Sequence, residues 1–139
     1  MKDKEPFFFD TNILIYSVYG TASEQGKIKA LVTNQLTTPQ VSTQVLKEFV
    51  NASAKKKFHK TTSELKQHLT KINESFVVAD VNLKTILLAL DLKDEYRYSF
   101  YDSLIIATAL ENSCATLYSE DLQHGQIVRK KLRIVNPFK

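Results

Sequence analysis

The stretch Phe7-Phe8-Phe9-Asp10-Thr11-Asn12-Ile13-Leu14-Ile15-Tyr16 decides the fold. Pro6 opens it, and three consecutive phenylalanines read as a buried strand. Asp10, Thr11 and Asn12 interrupt the apolar run, which resumes from Ile13 to Tyr19 and stops at Gly20. Outward from this point the pattern alternates. A helix is predicted from about Ser23 to Leu36, with Ile28, Leu31, Val32 and Leu36 at helical spacing. Pro39 to Ser42 reads as a short strand, and Thr43 to Lys57 as a helix with Val45, Leu46, Phe49 and Val50 apolar. A more polar helix over Thr61 to Asn73 carries Leu65, Leu69 and Ile72 on one stripe. Phe76 to Ala79 is a strand, and Asn82 caps a helix through about Leu92 or beyond. Ser99 to Glu111 is a strongly apolar helix, and Ala115 to Tyr118 a strand. A short helix after Asp121 is expected to lead to a last strand, Leu132 to Val135.

Short strands alternating with helices predict an α/β fold with a central, mainly parallel sheet flanked by helices. No repeat, low-complexity tract or linker divides the 139 residues, so residues 1–139 read as a single domain. The glycines Gly20, Gly26 and Gly125 are expected between elements or near their ends. Apolar residues make up 43% of the chain, enough for a core without a disulfide or structural metal. The lone cysteine, Cys114, forms no internal disulfide, which suits a reducing compartment, most simply the cytoplasm. No apolar run approaches the roughly 20 residues that span a bilayer, so no membrane partner is expected. The charged start, Met1 to Glu5, does not resemble a signal peptide.

The net charge of +4 points weakly to a polyanionic partner. Its distribution is more telling. Lys55, Lys56, Lys57, His59 and Lys60 cluster at one predicted helix end, and Arg129, Lys130, Lys131 and Arg133 form a second group. Either cluster is a solvated face or a weak site for RNA phosphates, contributing salt-dependent affinity with little sequence choice.

Four carboxylates carry the functional reading. Asp10 follows the first strand, Asp121 lies just past the Ala115–Tyr118 strand, and Glu48 is in the second turn of the helix after Ser42. Ligands of open parallel sheets bind beyond the carboxyl ends of strands, so topology delivers these three to one edge. Asp102 enters from the first turn of the helix beginning near Ser99, beside the apolar run Leu104-Ile105-Ile106-Ala107. A carboxylate there is costly unless paired, hydrogen-bonded or bound to a cation. Each residue also has a structural reading. Asp10 and Asp121 suit helix caps, Ser99-x-x-Asp102 has capping-box spacing, and Glu48 suits a solvated helix face. Caps explain the residue types but not the shared edge. Carboxylates that share a pocket repel until one protonates or a cation neutralises them. No histidine–cysteine cluster suggests zinc, so all-oxygen ligation favours Mg²⁺ or Mn²⁺. The chemistry such an ion supports is metal-assisted phosphodiester hydrolysis.

The same blocks resemble a known family. Phe7 to Tyr16 resembles the opening of PIN-domain nucleases, and Ser42-Thr43-Gln44-Val45-Leu46-Lys47-Glu48-Phe49 the segment holding their second acid. Ser99 to Ala107 is similar to the segment of the third, and Leu117-Tyr118-Ser119-Glu120-Asp121-Leu122 to that of the fourth. The ending Ile134-Val135-Asn136-Pro137-Phe138 resembles VapC-type toxins of bacterial toxin–antitoxin pairs. The resemblance runs in order over nearly the whole chain. It implies a PIN-like fold and an endoribonuclease whose acidic quartet, Asp10, Glu48, Asp102 and Asp121, surrounds Mg²⁺ or Mn²⁺. Asp10 and Asp102 would be the most direct ligands, with Asp121 and Glu48 acting directly or through water. Thr11, Asn12 and Ser119 would shape the site. Glu120 competes with Asp121 for the fourth position; Asp121 is preferred because it stands two residues past the serine. The resemblance further implies an RNA substrate, a homodimer and a cognate antitoxin.

Two other readings stay open. Haloacid-dehalogenase-like phosphatases also place a nucleophilic aspartate after a first strand, which would make Asp10 the nucleophile of a phosphotransferase. They carry a second aspartate two residues on, where this chain has Asn12. Alternatively the fold is a non-catalytic module that holds RNA or a protein. His124, near Asp121, reads as solvent-facing, and Ile13, Leu14, Tyr16 and Tyr19 read as core.

Overall fold

The three phenylalanines of β1 (Phe7–Phe9) are buried to 1% exposure or less, on both faces of the strand. A strand covered on both sides is a continuous apolar run rather than an alternating one, which is why this segment shows no period. The computed structural model describes residues 4–139, so Met1–Asp3 of the charged start lie outside the described residues. After β1 the chain runs through α1 (Thr11–Tyr19), α2 (Ala22–Thr33), β2 (Gln40–Ser42), α3 (Thr43–Lys55), α4 (Thr62–Ser75) and β3 (Val77–Ala79). It continues through α5 (Leu83–Tyr96), α6 (Phe100–Glu111), β4 (Thr116–Tyr118), β5 (Ile127–Val128) and β6 (Leu132–Val135).

The six strands form one sheet in the order β3-β2-β1-β4-β6-β5. All pairings are parallel except that of β5 with β6. The predicted α/β class with a mainly parallel sheet is therefore what the chain adopts. From β1 the chain moves to β2 on one side, and β4 fills the other side. Where the order turns about β1, the connections leave the sheet in opposite directions and open a crevice at the carboxyl ends. The core cluster gathers Ile13 and Leu14 of α1, Phe49 of α3, Leu92 of α5 and Ile105 and Ile106 of α6 with the strand residues Phe8, Val41, Leu117 and Ile134. No helix among the described residues is long and apolar enough to cross a membrane.

Local chemistry sets the helix starts. Thr21 and Glu24 form a reciprocal capping box at α2, and Ser42 caps α3 by accepting from the Val45 N–H at 3.2 Å. Three expectations are corrected. The helix expected to end near Leu36 stops at Thr33, and Gly26, expected near an element's end, lies inside that helix. The short helix after Asp121 does not form. The Ser119 hydroxyl accepts from the N–H groups of Asp121 and Leu122 at 3.2 and 3.3 Å. Gly125 then turns the chain with φ +88°, donating its N–H to Ile134 at 2.7 Å, so the segment folds back as β5 against β6.

Candidate active site

Asp10 leaves the end of β1 as the N-cap of α1, its Oδ1 accepting from the Thr11 N–H at 2.7 Å. The capping role is real, and it uses one carboxylate oxygen. The other, Oδ2, accepts from the buried Ser119 hydroxyl at 2.7 Å, which ties β1 to the loop after β4. Asp10 is 7% exposed. Its burial, opposed by the Ser119 and Thr11 bonds and reinforced by the charges of Glu48 and Asp102, pushes its carboxyl up from 3.8 to about 6.

The next two residues are clamps. The Thr11 hydroxyl donates to Glu48 Oε1 at 2.6 Å, joining α1 to the second turn of α3. The Asn12 amide donates to Asp121 Oδ2 at 2.9 Å, and its Oδ1 accepts from the Glu120 N–H at 3.2 Å. Thr11 and Asn12 are the first residues of α1, so one helical turn orients acids from two other elements. Glu48 is half-buried and held, not a freely solvated helix carboxylate. Asp121 has no helix to cap. Glu120 turns the other way, its Oε1 accepting from the Tyr16 hydroxyl at 3.0 Å, which pushes Tyr16 up to about 12.

Asp102 lies in the first turn of α6, its N–H donated to Ser99 Oγ at 3.1 Å. That is the capping half predicted from the spacing. The carboxylate is half-buried and close enough to raise the Asp10 carboxyl. Gln44 ties the backbone just before Asp102 to α3. This residue lies one turn before Glu48 on α3 and donates from Nε2 to the Tyr101 carbonyl at 3.2 Å, bridging the helices that carry Glu48 and Asp102. Gln44 and Tyr16 were not identified as site residues from the sequence. The i, i+4 spacing of Gln44 and Glu48 was the available signal for the first.

The basic clusters separate. Lys55, Lys56, Lys57 and Lys60 are exposed around the end of α3, and Lys56 lines a cleft that reaches Asn12. His59 is bound through Nδ1 to the Ser53 hydroxyl at 2.6 Å. Arg129, Lys130 and Lys131 form the turn entering β6, at the edge of the sheet opposite the acids. Arg129 is paired with Glu95 at 2.6 Å. The two edges follow from the parallel alignment of β6 with β4, so the second cluster does not border this site. His124 is exposed, and its Nδ1 accepts from the Asn136 N–H at 3.0 Å.

The donors gathered here are carboxylate, carboxamide and hydroxyl oxygens, the set that suits a hard cation. Among the described residues no three His, Cys, Asp or Glu side chains converge as a ready cage for an ion. Mg²⁺ seldom uses such a cage. It keeps several waters and takes one or two carboxylates directly. The residues present fit that mode.

Comparisons with known proteins bear on the fold and the family. In overall structure the chain is similar to a toxin–antitoxin complex chain from Klebsiella pneumoniae, with TM-score 0.69, 19% identity, and 94% of this chain and 96% of that chain covered. A VapBC-1 chain from nontypeable Haemophilus influenzae aligns with TM-score 0.69, 16% identity, and 96% and 98% coverage. A sarcin-ricin loop cleaving VapC toxin from Mycobacterium tuberculosis aligns with TM-score 0.65, 18% identity, and 83% and 89% coverage. At these identities the likeness shows the fold. No individual curated protein matches the sequence significantly. The model of the PIN domain matches residues 7–130, which takes in all four acids, and the chain belongs to the PIN domain family.

Proposed function

We propose that this chain is a metal-dependent endoribonuclease and the toxin of a type II toxin–antitoxin pair, working in the cytoplasm. The observation that carries the reading is the buried Asp10 held between Ser119 and Thr11, its carboxyl raised first by burial and further by the charges of Glu48 and Asp102. A site that gathers negative charge around a buried carboxylate favours a cation that offsets it. Asp10 and Asp102 would hold Mg²⁺ or Mn²⁺ directly, and Glu48 and Asp121 directly or through water. Bound there, the ion would lower the pKa of an attacking water and offset charge on the phosphodiester. The chain's own part is to orient. Thr11 fixes Glu48, Asn12 fixes Asp121, and Ser119 fixes Asp10. A phosphotransferase using Asp10 as nucleophile fits less well. Both oxygens of that carboxylate accept hydrogen bonds, and Asn12, where the second acid would stand, is engaged with Asp121 and the Glu120 N–H.

RNA cleavage by the purified protein is expected with Mg²⁺ or Mn²⁺ and not with EDTA. Asp102→Asn is expected to lower the rate by roughly a hundredfold or more, the scale on which a cation stabilises a transition state. Undiminished cleavage by a folded Asp102→Asn protein, free of contaminating nuclease, would overturn the reading. Tight RNA binding without turnover or metal would favour the non-catalytic module instead. A small DNA-binding protein encoded beside this chain would support the antitoxin, and a neighbourhood without one would count against it.

The homodimer has a candidate face. Leu83, Leu87 and Leu90 are 69%, 54% and 46% exposed and stand one turn apart along α5. Three leucines in one exposed stripe are more apolar than a lone surface helix requires. Leu87→Glu is expected to shift the protein to a monomer in sedimentation equilibrium. An unchanged mass would remove this face from consideration.

A further inference from the structure

Beside the acids, the structure holds a cleft of about 260 Å³ that starts at Asn12 and runs along α1 to Gly20. Tyr16, Tyr19 and Phe58 line it, with Glu24 and Lys56 among its remaining walls. We propose that this cleft is a nucleotide subsite, in which one unpaired RNA base flanking the scissile phosphate stacks on the aromatic rings. This inference rests on the ribonuclease reading for its substrate class.

The rings are set in place before any ligand arrives. Tyr19 lies parallel to Phe49, with centroids 5.6 Å apart and 13° between the planes, and its ring is 4.9 Å from Phe58. Its hydroxyl is bonded to the Ser53 oxygen at 3.0 Å, and Ser53 in turn to His59 at 2.6 Å. Tyr16 meets the Phe138 ring edge-on at 5.0 Å, and its hydroxyl reaches Glu120. Side chains already immobilised lose little rotamer freedom on binding, so stacking on them is efficient. Phe58 stays 37% exposed, leaving ring surface for a partner.

Three features select a base of RNA over other occupants. Asn12 belongs to both cleft and acidic site, because the residue lining the cleft also binds Asp121. A strand engaged at the acids therefore passes the cleft within a nucleotide or so. Lys56 supplies a cation suited to the backbone of that strand. Glu24, whose Oε1 accepts from the Thr21 N–H, adds a negative charge that would repel a phosphate. Base–aromatic stacking is sequence-tolerant, since every base has a π-face. The subsite consequently demands an unstacked base rather than a particular one, and it favours loops and single strands over duplex.

The test uses short single-stranded RNAs in which one abasic nucleotide is moved stepwise along the chain. Binding is read by fluorescence anisotropy on the full-length Asp10→Asn protein, which keeps the RNA intact, and cleavage positions are mapped with the unsubstituted protein. An abasic nucleotide at one position beside the cleaved bond is expected to weaken binding about tenfold, with little effect elsewhere. In Asp10→Asn/Phe58→Ala that positional penalty should vanish, and in Asp10→Asn/Phe58→Trp it should persist. The walk on Asp10→Asn alone needs no change in the cleft, so a poorly folded Phe58→Ala protein does not spoil it. RNA that is cleaved while the abasic profile stays flat would overturn the subsite and leave the ribonuclease reading standing. A position-dependent penalty without any cleavage would support the subsite and remove the ribonuclease. Absence of both binding and cleavage would remove both.

Discussion

Asp10→Asn is expected to abolish RNA cleavage and, in metal-free buffer at neutral pH, to make the protein more stable. The activity loss should be roughly a thousandfold, because the substitution removes the buried charge around which the proposed ion is held, worth several kcal/mol in the transition state. The gain in stability has a separate cause. Raising a carboxyl from 3.8 to about 6 corresponds to about 3 kcal/mol spent on keeping it ionised in the fold. Asparagine removes that cost while its Oδ1 still accepts from the Thr11 N–H. It does not accept well from Ser119, whose hydroxyl already accepts from the N–H groups of Asp121 and Leu122. Losing that acceptor takes back about 1 kcal/mol. A net gain of about 2 kcal/mol in urea unfolding, with cleavage gone, is the expected pair of results. A folded variant that still cleaves RNA would remove Asp10 from the chemistry. One that is inactive but destabilised would mean that the lost Ser119 bond outweighs the relief of the buried charge.

The second large effect is on pH. A group whose carboxyl titrates higher in the fold than in the unfolded chain stabilises the protein below its unfolded value, and that stability is lost as pH rises through its folded value. For Asp10 the window runs from about 4 to about 6. The metal-free protein should therefore lose about 3 kcal/mol of this contribution across that range. Other carboxylates titrate nearby, so the measurement is the difference in unfolding free energy between the unsubstituted and Asp10→Asn proteins at each pH. That difference should grow in favour of the variant from pH 4 to 7, and millimolar Mn²⁺ should shrink it at pH 7. A difference that stays constant with pH would show that Asp10 is not the strained charge, and one unmoved by Mn²⁺ would count against a cation there.

Much of this was legible in the sequence because strands buried on both faces and capped helices leave strong local signals. Phe7-Phe8-Phe9 had no polar alternation, so it could only be covered on both sides. Ser99 and Asp102 stood at cap spacing and formed the cap. Asp10, Glu48 and Asp121 lay after strands of a parallel sheet, so order along the chain placed them. What was not legible depends on groups far apart in sequence. The segment after Asp121 looked like a helix, but Ser119 takes two of its N–H groups and Gly125 turns it back. The basic run at Arg129 looked like the one at Lys55, and only the pairing of β5 with β6 shows that it lies at the other edge. Tyr16 read as core, yet its hydroxyl serves Glu120 across 104 positions of sequence. No local pattern encodes such a contact.

The bond between Ser119 and Asp10 joins residues 109 positions apart, as does the bond between Asn12 and Asp121. During synthesis the helices carrying Glu48 and Asp102 emerge before the segment that holds Asp10 from the far side. Domains fold as their chain becomes available, N-terminal parts first. A nascent chain cut short between Asp102 and Ser119 thus carries three of the acids but lacks the residue that anchors the first of them. For the proposed ribonuclease, such incomplete molecules would be left without a finished site, and activity would wait for the segment that carries Ser119 and Asp121.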